Sequence, residues 1–263
     1  MRKTILITGA GSGIGLDSAF ALAARGHQVI ATTFNEAQAE ALRQQCASRQ
    51  QALQVFKLDI TDPADRELLR PLVIDVLINN AAIGESGSLA EVPVERIRQA
   101  FEVNLFATLE LTQLALRGMI ERQRGTVLFV SSIAGRLPMP FLMPYGMTKF
   151  ALSAAGAALR AEMDLLGKNV QVALIEPGAI HTGFNQAMTG RKFEWMAAGS
   201  YFSGMAAQIK AREARTFAWL EARDTRAIVA QMVKAAEASR PRLRYVAPWA
   251  QGLMVRLARI FGA

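Results

Sequence analysis

Thiol and imidazole are scarce in this chain of 263 residues: it has one cysteine, Cys46, and two histidines, His27 and His181. A lone thiol excludes an intrachain disulfide, and nothing in cysteine usage argues for secretion. The histidines stand in no metal-ligand spacing, so loop or surface roles are expected and no metal site is. No apolar run approaches the roughly 20 residues needed to span a bilayer. The segment MRKTILITGAGSG reaches glycine too soon for the apolar region of a signal peptide, and it reads as a first strand instead. A cytoplasmic protein is therefore the expectation. There is no low-complexity tract and no repeat of fixed period, and no Pro/Gly/Ser linker interrupts the pattern before residue 183. One domain over residues 1–263 is expected.

Negative charge is scarce in one region only. From Arg191 onward 13 Lys/Arg stand against 5 Asp/Glu, whereas the first 190 residues are balanced, so the whole net charge of +8 lies in the last quarter. Zinc-finger spacing and the aromatic–basic pattern of ribonucleoprotein motifs are both absent, which argues against a nucleic-acid partner. A solvated basic face, with some attraction toward an anionic cofactor or substrate, remains.

What is present is alternation. TILIT (4–8), QVIAT (28–32), LQVFKL (53–58), DVLIN (75–79), TVLFVS (126–131) and VQVALIE (170–176) are short continuous apolar runs, as expected of strands covered on both faces. Helix-like spacing fills 14–25, 36–46, 63–72, 95–122 and 149–166. Strand alternating with helix predicts an α/β fold, a single Rossmann-like doubly wound parallel sheet of six to seven strands, with LRYVA (243–247) as the last. After Thr182 the alternation breaks. Residues 183–222 carry Phe184, Phe193, Trp195, Tyr201, Phe202, Phe217 and Trp219, which reads either as helices packed on the core or as an apolar lid over a cleft at the carboxyl edge of the sheet.

Two short stretches carry chemistry. TGAGSGIG (8–15) follows the first strand and opens a helix, where glycines let the backbone approach a pyrophosphate and a helix N-terminus supplies N–H donors. No lysine follows, which disfavours a nucleoside-triphosphatase loop. In YGMTK (145–149), Tyr145 and Lys149 share one face if a helix opens there. A fixed positive charge beside a phenol pulls it below its usual value of about 10, toward useful acid/base chemistry. The pair reads either as such a catalyst or as two ordinary helix residues.

In their order and spacing, these pieces resemble the short-chain dehydrogenase/reductase family from residue 4 to about 182. The glycine motif is matched by Thr8, Gly9, Gly13 and Gly15. The Asn-Asn-Ala-Gly motif after strand four is matched by Asn79, Asn80 and Ala81, with Ala82 in place of glycine. Ser132 stands thirteen residues before Tyr145, Asn104 occupies the helix after strand four, and Pro177, Gly178 and Thr182 follow strand six. The resemblance implies an NAD(P)-dependent oxidoreductase that moves a hydride between a nicotinamide and a carbonyl or secondary alcohol. In that reading Ser132 hydrogen-bonds the substrate oxygen, with neighbouring Ser131 as the alternative. Tyr145 delivers the proton, Lys149 lowers the tyrosine and holds the nicotinamide ribose, and Asn104 anchors a relay water or satisfies helix backbone. Cofactor contacts carry over to Gly9, Ser12, Gly13, Ile14, Gly15, Thr33, Asp59, Ile60, Asn80, Ala81, Tyr145, Lys149, Pro177, Gly178, Ile180 and Thr182. Asp59 would take the adenine amino group, Asn80 the adenosine ribose, and Ile180 and Thr182 the carboxamide.

The end of strand two, where a carboxylate would grip a ribose 2′-hydroxyl, holds Thr33; Phe34 stands where an arginine would welcome a 2′-phosphate. With the repelling acid missing, NADP is expected over NAD. The segment from Asp59 to Asn79 is about six residues shorter than the family pattern implies, so the third helix should lose one to two turns. Aromatic and Met content, with Phe141, Leu142 and Met143 beside the tyrosine, predicts a bulky apolar alcohol or ketone. The helices at 95–122 and 149–166, the latter with Ala151, Leu152, Ala155, Gly156 and Leu159, are expected to pair between subunits in a homodimer or homotetramer. Over 249–263, Trp249, Leu253, Leu257 and Ile260 recur at helical intervals with Arg256 and Arg259 between them. Packing on the chain's own core or a neighbour is preferred there over contact with an anionic membrane. An idle NAD(P)-binding sensor and a membrane-peripheral scaffold are the competing readings; neither needs the Tyr/Lys/Ser set.

Overall fold

The computed structural model describes residues 1–196 and 199–261. Seven strands form one sheet: β1 (Thr4–Ile7), β2 (Gln28–Thr33), β3 (Gln54–Lys57), β4 (Val76–Asn79), β5 (Arg124–Val130), β6 (Asn169–Pro177) and β7 (Arg244–Ala247). Their order is β3-β2-β1-β4-β5-β6-β7, and every pairing is parallel. Ile7 is in register with Ala31 on one side and with Ile78 on the other. The chain thus runs outward from β1 to one edge, then returns to place β4 on the other side of β1. The crevice beyond the carboxyl ends at that reversal is where ligands of such sheets sit.

The continuous apolar strands split by parity. Ile5, Ile7, Val29, Ala31, Val76, Ile78, Leu128, Val130, Ala173 and Ile175 face one layer, with α1 (Gly13–Ala24) and, near the end of the chain, Arg226–Glu237 against them. Leu6, Ile30, Leu77, Val127, Phe129, Val172 and Leu174 face the other. Each Val, Leu, Ile or Phe among them withdrawn from water contributes about 1.5–3 kcal/mol, so both faces hold the sheet. α2 (Glu36–Ser48) begins at Asn35, whose side chain accepts from the Gln38 N–H at 2.9 Å. α3 (Pro63–Glu67) is five residues long and gives way to i→i+3 turns as far as Leu72, so the expected helix over 63–72 is shorter still.

The helix expected over 95–122 is not continuous. α4 (Val94–Phe101) passes into a π-turn at Glu102–Ala107 before α5 (Thr108–Glu121) resumes. Asn104 lies in that turn, buried; its Oδ1 accepts from the Ile83 N–H (2.8 Å), and its Nδ2 donates to Ile83 O (2.9 Å) and Thr148 Oγ1 (3.0 Å). A helix that must serve outside partners at one residue accommodates them with a widened turn.

The next helix, α6 (Met143–Leu166), begins six residues earlier than expected. Pro144 lies in its first turn, where a missing N–H costs nothing, and Gly167 ends it at a φ of 66°. Leu152 and Gly156, expected at a subunit contact, instead face this chain's own sheet: a Cβ on Gly156 would lie 2.7 Å from Leu174. Beyond β6, α7 (Phe184–Trp195) and α8 (Ala206–Leu220) lie across the carboxyl edge, α9 (Arg226–Glu237) packs on α1, and α10 (Trp249–Ile260) follows β7.

Candidate active site

A cleft of about 1410 Å³ opens at the carboxyl edge, lined at one end by the glycine turn and at the other by the lid helices. Gly9 takes a φ of 64°, and a Cβ there would sit 2.8 Å from the Ala81 Cα. At Gly15 a Cβ would overlap Asn80 and the Gly9 carbonyl, so no larger residue fits. The turn is sewn to the end of β4. Asn80 and Ala81 donate their N–H groups to Thr8 Oγ1 at 3.0 Å, and Asn80 Nδ2 donates to Thr8 O and Gly9 O at 2.9 Å. Asn80 lines the cleft, but its amide is engaged within the chain.

The N-terminus of α1 fits an anionic group. Ser12 makes no side-chain cap, and no acidic residue lies in the first turn, so the helix's first N–H groups and its positive end face the cleft. Asp59, Ile60, Pro177, Gly178, Ile180 and Thr182 line the same wall, as expected. Thr33 does not. It is fully buried, with its hydroxyl donating to Asn35 O at 3.1 Å, because strand parity turns it toward the side of Val29 and Ala31. Phe34 and Gln38 face the cleft in its place.

At the middle of the cleft, α6 presents Tyr145 and Lys149 on one face, and the turn after β5 presents Ser132. Ser132 Oγ hydrogen-bonds the Tyr145 hydroxyl, donates to Pro177 O at 3.4 Å and accepts from the Ala134 N–H at 3.1 Å. Ser131 is committed elsewhere: its hydroxyl bonds Lys149 O at 3.1 Å and Ser153 Oγ at 2.6 Å. That separates the two serines: both line the cleft, and Ser132 is the one bonded to Tyr145. Lys149 Nζ lies 5.5 Å from the Tyr145 ring centre and donates to Val130 O at 2.8 Å.

One expectation is corrected here. Burial pushes the Tyr145 phenol up from its ordinary value, and the Ser132 hydrogen bond only partly opposes this. Burial also pulls Lys149 down to about 7. Burial, and not the neighbouring amine, therefore sets the direction in which the phenol moves.

The far end of the cleft is apolar. Phe184 of α7 meets the Tyr145 ring at 5.7 Å between centroids, and Met188 packs with Tyr145 and Ala134. Phe141, at a φ of 64°, meets Phe202 edge-on at 5.1 Å. Phe141 and Leu142 line the cleft; Met143 does not, because it turns back against Gly146. Of the expected lid, the Trp195 side chain and residues 197–198 lie outside the described residues.

Three contributions carry no signal in the sequence. Ser86 Oγ donates to Met188 O at 2.6 Å, fastening the lid to the loop after β4. Buried Glu85 pairs with Arg96 at 2.9 Å and lies 3.6 Å from Arg191 of α7. Gln251 of α10 accepts from the Ala179 N–H at 2.8 Å and donates to Leu220 O at 2.7 Å, holding the loop after β6. Partners so distant along the chain leave no spacing to read. Among the described residues no cluster of His, Cys, Asp and Glu could hold a metal; His27 pairs with Glu237 and His181 with Glu221.

Comparison with known proteins agrees with this architecture. The sequence profile of the short chain dehydrogenases matches residues 3–192. A mouse protein named dehydrogenase/reductase SDR family member 7B is 34% identical over 194 residues, covering 70% of this chain and 59% of that protein. This chain therefore spans about six-tenths of that relative's length. A Helicobacter pylori protein named a probable short-chain type dehydrogenase/reductase VdlC is 36% identical over 215 residues, 76% of each chain. The crystal structure of a short chain dehydrogenase/reductase from Burkholderia phymatum in complex with NAD superposes with a TM-score of 0.80. It covers 98% of this chain and 93% of that one, and at 21% identity it speaks for the fold alone.

Proposed function

The chain belongs to the short-chain dehydrogenase/reductase family, and from that premise we propose that it transfers a hydride between a nicotinamide cofactor and the carbonyl or secondary alcohol carbon of a bulky apolar substrate. One observation carries the reading: Ser132, Tyr145 and Lys149 meet in a cleft whose other end is a glycine turn at an uncapped helix N-terminus. When bound, the nicotinamide supplies or accepts the hydride. The N–H groups at the start of α1 would hold its pyrophosphate, and Lys149 the adjoining ribose. Ile180 and Thr182 would meet the carboxamide, and Asp59 the adenine.

Reduction builds negative charge on the substrate oxygen. Ser132 donates a hydrogen bond to that oxygen, and Tyr145 hands it a proton. Burial keeps the phenol protonated, the form from which the reductive direction starts. Lys149, near the midpoint of its own titration, passes or receives the replacement. Phe184, Met188 and Phe141 exclude water and accept an apolar body.

The end of β2 carries no carboxylate to repel a 2′-phosphate, which supports NADP over NAD. A homodimer or homotetramer through α5 and α6 is part of the same reading, supported by exposed Ala154 and Ala158 on α6 and by exposed Phe106 in the π-turn that precedes α5. The protein mixed with NADPH or NADH and a panel of ketones, followed by nicotinamide absorbance, should turn over hydrophobic ketones with NADPH preferred. Tyr145→Phe should lower kcat at least about 100-fold while cofactor still raises the melting temperature. Polyols oxidised far faster than hydrophobic ketones are reduced would overturn the substrate class, and an active Tyr145→Phe would overturn the mechanism.

A further inference from the structure

α10 meets the rest of the chain along one side only. Gln251 and Val255 are buried there, and Met254 lines the cleft. On a helix of 3.6 residues per turn, Trp249, Leu253, Leu257 and Ile260 fall together on another side, and all four are exposed, Trp249 at 75% and Ile260 at 66%. Phe261 continues that side, exposed at 82%. Of the two packings expected, on the chain's own core or on a neighbour, the first does not occur. Arg256 and Arg259, both exposed, flank the apolar side. Met254, 40% exposed, stands between that side and the buried one and lines the cleft, so the exposed apolar residues of α10 reach the cleft mouth.

We propose that this face of α10 docks the cleft mouth on an anionic lipid bilayer. The charge pattern selects that occupant. Residues 238–263 contain five arginines and no Asp or Glu. A second copy packed face to face would bring more arginines and no acid from this segment to offset them. Anionic headgroups match the arginines, while the acyl region receives Trp249, Leu253, Leu257 and Ile260. Among the described residues no helix is long and apolar enough to cross a membrane, so α10 lies in the surface. Docking stands on α10 alone; only the delivery of a bilayer-dissolved substrate into the cleft rests on the proposed reaction.

The test is cosedimentation of the full chain with vesicles of phosphatidylcholine alone, or of equal parts phosphatidylcholine and phosphatidylserine. The wild type should bind the phosphatidylserine vesicles, more weakly as salt is raised, with tryptophan emission moving to shorter wavelength. Arg256→Gln/Arg259→Gln should weaken that binding about thirtyfold. Leu253→Glu/Ile260→Glu should abolish it, with melting temperature and turnover of a water-soluble ketone unchanged. Absence of binding by the wild type, or equal binding by Leu253→Glu/Ile260→Glu, would overturn the proposal. So would dissociation of an oligomer by that double substitution in a protein that ignores vesicles, since the face would then be a subunit contact. Vesicle binding is read without turnover, so failure of the oxidoreductase assignment would leave this result intact.

Discussion

Lys149 and Tyr145 stand one helical turn apart, yet burial moves their proton affinities in opposite senses, the phenol up and the amine down. The residue pair was legible in YGMTK because spacing alone sets a shared helix face. The net electrostatics were not, since they depend on how much water the fold removes. The amine releases its proton near pH 7 in the folded chain and near its ordinary 10.5 in the unfolded one. Between those values the unfolded chain binds more protons, so stability attributable to this residue rises with pH across the window; below it, the cost of burying the charge is complete. Lys149→Met is therefore expected to melt above wild type at pH 6, with the gap closing toward pH 10. Calorimetry of both proteins across that range checks it, and a gap that stays constant would show that Lys149 does not titrate as stated. Thr33 teaches the complementary lesson. Its number along the chain was right for the end of β2, but pleat parity turned it inward and left Phe34 at the cleft.

Helix existence was readable from periodicity, whereas helix interruptions were not. The π-turn at Glu102–Ala107 exists for contacts to Ile83 and Thr148, both far away in sequence. Likewise, residues 183–222 announced only aromatic and Met content; that α7 closes over the tyrosine is a consequence of Phe184, Met188 and the loop that Ser86 reaches from. Ser86→Ala removes the bond to Met188 O, which is buried and about 1–3 kcal/mol to leave unmade. The lid should then open more readily, raising KM for an apolar ketone several-fold while the cofactor dissociation constant stays within about twofold of wild type. Steady-state kinetics and cofactor titration together read this out; a matched rise in both would mean that the whole cleft, not the lid, had loosened.

For the molecule as a whole, all seven strands appear where continuous apolar runs placed them, within one or two residues, and strand–helix alternation sufficed to foretell a parallel sheet. What alternation could not supply is which apolar residues find no cover. The same i, i+4 pattern marks buried Val255 and exposed Leu253, and only the direction in which α10 leaves β7 distinguishes them. Because both apolar layers share one sheet, the chain should unfold by heat in a single transition, with far-ultraviolet and near-ultraviolet dichroism falling together. Separate midpoints would divide residues 1–263 into more than one cooperative unit.

Gln251 has the last consequence. Its amide grips Ala179 on the cleft wall between Gly178 and Ile180 and Leu220 at the base of the lid, from a helix whose opposite side meets solvent. A restraint applied to that outer side reaches Ala179 and Leu220 through Gln251, like a hand on a latch. Deuterium uptake at the Ala179 and Ala222 amides should accordingly slow when α10 is captured on a surface, and Gln251→Ala should uncouple the two.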